Sequence, residues 1–235
     1  SKGIPGKNFR SFAGFPLLSW IVASAARSSL GEIYVSTDDV AAAQPAVSVT
    51  GSLTGLRVAI LTRPTELSQD DTPDLPVFRD VAHELNLRAD DILVHLRPTS
   101  PFVRPEEIDS VVDSLLLNDL PNASIRSVVP AHEHPAKMYA EWATGLLTPF
   151  LGRTEHRANH PRQSLSKPWR AAGFVDAIRA INVLTEFGVR GSMDGWPILA
   201  WPAPEERAVD LDTEFQWNQA EWLARQNCWK PGRIT

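Results

Sequence analysis

The feature that most constrains the fold is an alternation of short apolar runs with amphipathic segments between residues 16 and 130. The apolar runs, which predict β-strands, are EIYVSTDD, RVAIL (Arg57 to Leu61), DILVHLRPTSP and ASIRSVVPA. The amphipathic segments, which predict helices, are PLLSWIVASAARSS, TPDLPVFRDVAHEL with Thr72 as N-cap and Pro73 as first helical residue, and PEEIDSVVDSLLLN. Such alternation favours right-handed crossovers, so the sequence predicts an α/β fold with a mainly parallel sheet and helices on both faces.

This pattern breaks down between His132 and about Trp169 into short pieces such as KMYAEW, GLLTPFL and GRTEHRANHPRQSLSKPW. A structureless loop of that length is uncommon in a compact domain. We therefore expect residues 1–235 to form a single domain in which residues 132–169, called the arm below, form either a protruding lobe or an arm that packs on a partner subunit. Beyond the arm, PILAW and AVDLD predict two more strands, and residues 213–227 predict an amphipathic helix.

The composition excludes several classes of protein. Hydrophobic residues make up 43% of the chain and charged residues 22%, as in ordered globular domains. No apolar run approaches the roughly 20 residues that span a bilayer. The net charge is −5, with scattered Lys and Arg, and the single cysteine, Cys228, cannot form an internal disulfide. We therefore expect a cytoplasmic protein with a small anionic ligand and no nucleic-acid or membrane partner.

The first ten residues, SKGIPGKNFR, combine a Gly-Pro-Gly turn with Lys2, Lys7 and Arg10 immediately before a predicted helix. Glycine lets backbone N–H groups approach phosphate oxygens closely, and a helix N-terminus favours anions. The segment therefore suits a phosphate-binding loop, although it matches neither a Walker A loop nor GxGxxG. A mobile basic tail is the alternative, and composition alone does not separate the two.

A pair of carboxylates, Asp210 and Asp212, lies near the other end of the chain in AVDLDTE. In a strand both would point the same way while Leu211 faced the core. Convergent carboxylates suit Mg²⁺, which keeps part of its coordination shell for substrate phosphates. Alternatively, Asp212 or Thr213 caps the last helix, with Gln216 completing a capping box. Both roles can coexist.

Other polar residues follow predicted strand ends, where ligands bind in α/β sheets. They include Arg63, Arg97 and Ser100, each of which could instead stabilise a loop, and Asp38 and Asp39, which could cap a helix. The histidines of HEH and HRANH lack a recognised zinc spacing, so a structural role is the more economical interpretation.

Six stretches occur in the order found in the cytidylyltransferase family that includes the CMP-sialate (acylneuraminate) synthetases, and the chain resembles that family over essentially its whole length. They are SKGIPGKN, VSTDD, RPTEL with the following DDTP, LRPTSP, HPAKMY and VDLDTE. The resemblance implies a Rossmann-like nucleotide-diphospho-sugar transferase fold, a homodimer whose arm reaches over the partner's site, and a further strand with a glycine turn upstream of residue 1.

The resemblance also implies the reaction, in which CTP and an acidic acceptor give a CMP conjugate and pyrophosphate. Catalytic roles are implied for Lys2, Lys7, Asp210 and Asp212, with both aspartates binding Mg²⁺. Nucleotide contacts are implied for Lys2, Gly3, Lys7, Asn8, Arg63, Thr99 and Ser100. Acceptor contacts are implied for Arg97, Lys137, Gln163, Trp169 and Arg170.

Two positions depart from the family pattern in the region implied for the acceptor. Arg97 stands where the family usually has glutamine, and Ala172 replaces an amide expected to touch the sugar. An added arginine and a lost amide would suit a smaller, more highly charged acceptor, so we expect either a nonulosonic (sialic-type) acid or a small phosphonate. The alternative function is that of a catalytically silent nucleotide-binding or scaffold protein with the same fold.

Overall fold

The alternation predicted from the sequence is present in the computed structural model, which describes residues 3–55, 58–69, 71–185 and 192–234. Its α-helices are α1 (Leu17–Ala25), α2 (Val40–Thr54), α3 (Asp74–Glu84), α4 (Pro105–Leu116), α5 (Ile181–Leu184) and α6 (Glu214–Gln226). Thr72 does not cap α3, because Pro73 itself has an extended backbone (ψ of 158°) and occupies the cap position, so the helix begins one residue later than predicted. Within the described ranges, no helix is long and apolar enough to cross a membrane.

The strands are β1 (Ser11–Phe12), β2 (Phe15–Pro16), β3 (Tyr34–Thr37), β4 (Ala59–Thr62), β5 (Ile92–Leu96), β6 (Ser124–Pro130), β7 (Tyr139–Ala143), β8 (Leu146–Pro149), β9 (Trp169–Arg179) and β10 (Ile198–Pro202). The central sheet has the order β10-β6-β9-β5, and β3 and β4 form a separate parallel pair. Because β9 runs antiparallel to both β6 and β5, and β10 is parallel to β6, the strands β5, β6 and β10 share one direction. The periodicity did not predict that β9 is reversed.

The pairing of β6 with β9 shifts at Ser127, so residues 172–175 of β9 lie opposite this single residue. The Oγ of Ser127 accepts hydrogen bonds from the N–H groups of Phe174 and Val175, each at 3.0 Å, and so replaces partners lost from the ladder. Gly173 has a φ of 64°, which glycine adopts without steric cost. Within the bulge, Gly173 lies beside Arg97, the residue that follows β5.

Apolar side chains pack on both faces of the central sheet. Ala177 belongs to a cluster with residues of α1, α2 and α4. The next residue, Ile178, belongs to a second cluster with Ala82 of α3 and Val183 of α5. Because successive strand residues point to opposite faces, these helices cover the sheet from both sides, as predicted.

An aromatic cluster joins the N-terminal loop to α1 and α6. The ring of Phe12 lies 5.4 Å from Trp20 of α1 and 5.2 Å from Trp217 of α6, both in edge-to-face geometry. Ile4 is buried in the same cluster. The two ends of the chain are therefore packed together.

The arm contains the antiparallel hairpin formed by β7 and β8. Its large apolar side chains are unusually exposed: Trp142 is 77% exposed and Leu147 is 65% exposed. Isolated two-stranded hairpins are marginally stable in water, and exposed apolar patches mark interaction surfaces. The arm is therefore the part of the described chain that most resembles an interface.

Candidate active site

A cavity of about 830 Å³ runs between β3 and β5 and reaches the carboxyl ends of β3, β4 and β5. At that end it is lined by residues that the sequence analysis assigned to the nucleotide or the acceptor: Lys7, Asn8, Arg63, Arg97 and Thr99. In open α/β sheets ligands bind outside the carboxyl ends of the strands. This edge is therefore the candidate active site.

The N-terminal loop packs directly against the acidic pair. A Cβ on Gly3 would lie only 2.1 Å from the backbone oxygen of Asp212. The Nζ of Lys7 donates to the backbone oxygen of Leu211 at 3.0 Å and to Oδ1 of Asp212 at 2.6 Å. Because the Lys7 side chain is only 12% exposed, its ammonium group is held in place. From Gly3 onward the loop is thus an ordered wall of the site, and the mobile-tail interpretation is wrong for this part.

The strand predicted through Asp210 and Asp212 is not formed. The N–H of Leu211 donates to the Thr99 oxygen, but the N–H of Asp212 donates to the oxygen of Asp210, each at 3.1 Å, so a local turn replaces the strand ladder. The alternation of side chains nevertheless holds, since Leu211 is buried and both aspartates are exposed. Both carboxylates therefore reach solvent beside the loop that carries Lys7.

Buried contacts hold the segment before the acidic pair. Arg207 forms a bidentate ion pair with Glu107 of α4, and its Nη1 donates to the backbone oxygen of Phe102 at 2.9 Å. The Oγ of Ser100 lies 2.9 Å from the oxygen of Val209 and 3.1 Å from that of Gly173. In this structure Ser100 thus joins the segment to β9, and its contact with a nucleotide stays a prediction.

The N-terminus of α6 holds the other side of the acidic pair. The Oγ1 of Thr213 accepts from the N–H of Gln216 at 3.2 Å, and Oε1 of Gln216 accepts from the N–H groups of Asp212 and Thr213 at 3.1 and 2.8 Å. The predicted capping box is confirmed. The cap uses the backbone of Asp212 and leaves its carboxylate outside, so capping does not prevent cation binding.

Arg63 and Asn8 form part of the cavity wall. The Nη2 of Arg63 donates to the backbone oxygen of Ser36 at 2.6 Å, and its Nε donates to the Ser36 Oγ at 3.2 Å, which fixes the guanidinium group at the end of β3. The Oδ1 of Asn8 is buried and has no hydrogen-bond partner among the described residues. Buried amide oxygens are rarely unpaired, so this atom retains unused hydrogen-bonding capacity beside the cavity.

A row of polar side chains crosses the central sheet on the α3 face. His95 of β5 and Arg126 of β6 both pair in register with Asp176 of β9. The Oδ2 of Asp176 accepts from Arg97 Nη1 at 2.9 Å and from Arg126 Nη2 at 3.3 Å. Its Oδ1 accepts from the N–H and Oγ of Ser127 at 3.1 and 3.3 Å. The carboxylate is 1% exposed, so its charge is buried but fully paired.

His95 stays neutral at physiological pH. Burial lowers the pKa of His95 to about 4, with Arg97 and Arg126 acting in the same direction and the carboxylates of Asp74 and Asp176 opposing them. Its ring packs edge-to-face on Phe78 of α3, with 4.8 Å between ring centroids. A neutral imidazole beside the arginines adds no further positive charge to the site.

Several predicted site residues lie elsewhere. Lys2 lies outside the described residues. Among the described residues, Lys137, Gln163, Trp169 and Arg170 do not line the cavity. The Nζ of Lys137 donates to two backbone oxygens of the arm at 2.7 and 3.1 Å, so it braces the arm. The other three are exposed, and contact of all four with an acceptor stays a prediction.

Two of the other sequence features have structural roles. Asp39 caps α2 by accepting from the N–H of Ala42. The Nδ1 of His134 accepts from the N–H of Ala136 at 3.0 Å, and the ring of His156 lies 3.1 Å from the Tyr139 hydroxyl. In the part of the chain that the structure describes, no three His, Cys, Asp or Glu side chains gather as a metal site. The zinc hypothesis therefore gains no support.

The sequence analysis missed the network around Asp176. The sequence did contain a signal, because Asp176 and Arg126 are the single charges within two otherwise uncharged strand segments, FVDAI and SIRSVV. A charge in a buried strand is costly unless it is paired. Opposite charges in two such strands therefore indicate an ion pair, but only the register of the sheet shows that the two residues meet.

Known proteins are similar to this chain in sequence and in architecture. The family model for cytidylyltransferases matches residues 1–142. N-acylneuraminate cytidylyltransferase A of Danio rerio is 32% identical over 94% of this chain and 47% of its own length. CMP-N,N'-diacetyllegionaminic acid synthase of Legionella pneumophila is 35% identical over 58% of this chain and 56% of its own length. The chain spans about half the length of the first curated relatives it matches.

A solved structure shows the same fold. CMP:2-keto-3-deoxy-manno-octonic acid synthetase complexed with CTP superposes with a TM-score of 0.64 over 96% of this chain and 94% of the other, at 18% identity. The predicted Rossmann-like nucleotide-diphospho-sugar transferase fold is confirmed. With the family model matching more than half of its residues, the chain belongs to the cytidylyltransferase family.

Proposed function

We propose that this chain transfers CMP from CTP to an acidic sugar acceptor. One observation carries the proposal: four of the seven residues assigned to CTP, Lys7, Asn8, Arg63 and Thr99, line one cavity at the carboxyl edge of the strands, where Lys7 also contacts Asp212. Relatives are named for N-acylneuraminate, diacetyllegionaminic acid and 3-deoxy-manno-octulosonate, which are all sugar acids. The acceptor of this chain would belong to the same chemical class.

In the proposed reaction an acceptor oxygen attacks the α-phosphorus of CTP. The bond between that phosphorus and the oxygen bridging to the β-phosphate breaks, pyrophosphate leaves, and the CMP conjugate forms. Such transfers depend on positioning and on neutralising phosphate charge. Lys7 and Arg63 would supply the fixed cations, and the unpaired Oδ1 of Asn8 would accept a hydrogen bond from the nucleotide.

We propose that Asp210 and Asp212 hold Mg²⁺. The donors fit this cation, because both are exposed carboxylates, anchored on either side by Arg207 and Thr213, and two carboxylates leave coordination positions for water and phosphate oxygens. When bound, Mg²⁺ would neutralise charge on the triphosphate. The Lys7 ammonium, 2.6 Å from Asp212, would keep that carboxylate oriented.

Arg97 is the residue of the cavity wall best suited to the acid group of the acceptor. Its guanidinium group lines the cavity beyond the end of β5, and planar guanidinium groups match carboxylate and phosphonate oxygens. A nonulosonic acid and a small phosphonate are the two acceptor classes to compare. The phosphonate hypothesis rests on the added charge of Arg97 and on the missing amide at Ala172.

The proposal is tested by measuring pyrophosphate release with CTP, Mg²⁺ and each of four acceptors: N-acetylneuraminate, a legionaminic acid, 3-deoxy-manno-octulosonate and a small phosphonate. We expect release with at least one acceptor, and a loss of about 100-fold or more in kcat/KM for Lys7→Met. Lys230→Met, a change at an exposed lysine, is the matched control and should retain activity.

A catalytically silent protein would give a different result. It would bind CTP in calorimetry without releasing pyrophosphate with any acceptor, and Asp212→Asn would not change its response to Mg²⁺. That outcome would replace the transferase proposal with a nucleotide-binding function.

We propose that the protein is a homodimer joined through the arm and located in the cytoplasm, where CTP is available. Eight large apolar side chains of the arm are exposed: Met138, Tyr139, Trp142, Leu146, Leu147, Phe150, Leu151 and Trp169. Covering them with a second copy would remove apolar surface from water.

We also propose that a further strand, preceding residue 1, lies between β3 and β5. The cavity there is walled by Ile21 and Val22 of α1 and by Phe78 and Val81 of α3 as well as by the two strands. Protein interiors contain few voids larger than a water molecule, so about 830 Å³ between apolar walls needs an occupant. Slower hydrogen exchange at the amides of β3 and β5 in an upstream-extended chain would support this; unchanged exchange would refute it.

A further inference from the structure

We infer that Asp176 is a positioning residue, which holds the guanidinium group of Arg97 in the orientation that binds the acid group of the acceptor. The inference rests on the proposed function. Asp176 itself is buried within the sheet and does not line the described part of the cavity, so it acts through Arg97.

Of the two carboxylates near Arg97, only that of Asp176 makes a close contact. Arg97 Nη1 lies 2.9 Å from Oδ2 of Asp176, whereas its Nη2 lies 3.9 Å from Oδ2 of Asp74, a half-exposed residue at the start of α3. The first contact is a short, buried, charge-assisted hydrogen bond, and the second is at the limit of an ion pair. The carboxylate or phosphonate of an acceptor can therefore bind Nη2 of Arg97 while Nη1 stays hydrogen-bonded to Asp176.

Asp176 is itself rigidly held. Each of its two oxygens accepts two hydrogen bonds, from Arg97, Arg126 and Ser127, so the carboxylate cannot rotate without losing several of them. Arg126 is in turn paired with Asp194 at 3.2 Å. The charges of Arg97, Arg126, Asp176 and Asp194 sum to zero, and Asp74 adds a further carboxylate on the Nη2 side of Arg97. An incoming anion would therefore displace Asp74 from Arg97 and would not be drawn in by a general positive field.

The β9 bulge contacts both Arg97 and Ser127, which are hydrogen-bonded to Asp176. Gly173 lies within the bulge, and a Cβ placed on it would lie 3.7 Å from Cδ of Arg97, so the bent backbone packs along the arginine side chain. Ser127, which satisfies the bulge amides, also donates to Asp176. A single serine thus links the shape of β9 to the orientation of Arg97.

The decisive test is a double-mutant cycle of Asp176→Asn and Arg97→Gln, assayed by pyrophosphate release with whichever acceptor of the panel the unmodified protein uses. We expect Asp176→Asn alone to raise the KM of the acceptor at least tenfold and to leave the KM of CTP within about twofold. In the Arg97→Gln background the same change should have no further effect on acceptor KM. An equal rise in both KM values, or an undiminished effect without Arg97, would overturn the inference.

Asp194→Asn is the matched control, because it removes a buried carboxylate of the same network that contacts Arg126 but not Arg97. It should lower the melting temperature and leave the acceptor KM within about twofold; a tenfold rise would show that the whole network, and not Asp176, matters. Arginine side-chain NMR supplies a readout independent of turnover. Rotation of the Arg97 guanidinium group should be slow in the unmodified protein and fast in Asp176→Asn, and equal rates would also overturn the inference.

If the unmodified protein releases no pyrophosphate with any acceptor, the proposed function fails. The NMR comparison still decides whether Asp176 immobilises Arg97, so the two failures are distinguishable.

Discussion

At the scale of single residues, the site depends on close approaches that tolerate little change. Gly3 leaves no room for a side chain against Asp212, and Lys7 reaches across the same contact to bind the Asp212 carboxylate. Glycine is therefore required at position 3 by packing, and not by backbone conformation. A substitution at Gly3 tests this close packing directly.

Gly3→Ala should displace the N-terminal loop from the acidic pair. Its Cβ would lie 2.1 Å from a backbone oxygen, which cannot move without shifting the segment that carries Asp212. We expect a loss of stability of about 1–3 kcal/mol in denaturant titrations and a fall of about 100-fold in pyrophosphate release. Gly31→Ala is the control, since a Cβ there meets no atom within 4 Å; equal effects of the two changes would contradict the role of Gly3.

His95 should make the protein less stable as the pH falls from about 6.5 to about 4. In that range the unfolded chain binds a proton at His95 that the folded chain does not, so acidification favours unfolding. The contribution of His95 is fully present above about pH 6.5, and the total loss is on the order of 3 kcal/mol. Unfolding titrations at pH 7 and pH 5 measure it.

His95→Gln should flatten this pH dependence, because the group that gains the proton is removed. His83→Gln, which replaces an exposed histidine of α3, is the control for the substitution itself. Identical slopes for His95→Gln and the unmodified protein would show that another group is responsible.

At the scale of elements, the acidic segment is positioned by its neighbours because it forms no strand. It is held by α4 through Arg207, by the end of β5 through Thr99 and by the N-terminus of α6 through Thr213. Because this segment has no ladder of hydrogen bonds to a neighbouring strand, its backbone geometry depends on these three contacts. The cap of α6 is the easiest of them to remove without creating a buried charge.

Thr213→Ala should lower the free energy of unfolding by about 1 kcal/mol, because the capping hydroxyl is lost. It should also raise the Mg²⁺ concentration needed for half-maximal activity, since Asp212 adjoins the cap. Gln219→Ala changes an exposed residue of the same helix and should stay within about 0.5 kcal/mol. Thermal or urea melts measure the change in stability, and a Mg²⁺ titration of activity measures the change in metal requirement. An unchanged Mg²⁺ dependence would show that the cap does not position the proposed metal ligand Asp212.

At the scale of the whole molecule, the arm and the cavity between β3 and β5 are two places where apolar surface is not fully covered by the described residues. The arm carries eight exposed large apolar side chains, seven of them along one hairpin and the residues that flank it. The cavity lies between two strand edges and two helix faces. Both suggest that the assembled protein contains more polypeptide contacts than a single copy of this chain provides.

Leu147→Glu should convert the expected dimer to a monomer, because a charge would be buried in the arm interface. Leu117→Glu is the control: this leucine is 86% exposed and lies at the end of α4, outside the arm. Light scattering measures the mass of each variant. A monomeric unmodified protein, or equal behaviour of both variants, would contradict a dimer formed through the arm.

The sequence alone determined the order of most strands and helices, the positions of the loops at the carboxyl edge and the capping box at Thr213. These features depend on local periodicity, on proline and on hydrogen bonds between neighbours in the chain, all of which can be read from adjacent residues. The resemblance of its motifs also indicated the family, and it predicted that Lys7 and Asp212 belong to the same site.

Only the tertiary structure decided which distant residues meet. The reversal of β9, the bulge at Ser127 and the register that places Asp176 between Arg97 and Arg126 depend on pairing across the sheet, which no local pattern encodes. The segment with Asp210 and Asp212 shows the same division. The sequence correctly predicted that both carboxylates point away from Leu211, because this follows from the burial of Leu211. The predicted strand was wrong, because a strand also needs hydrogen bonds to a partner strand, and those depend on the tertiary structure.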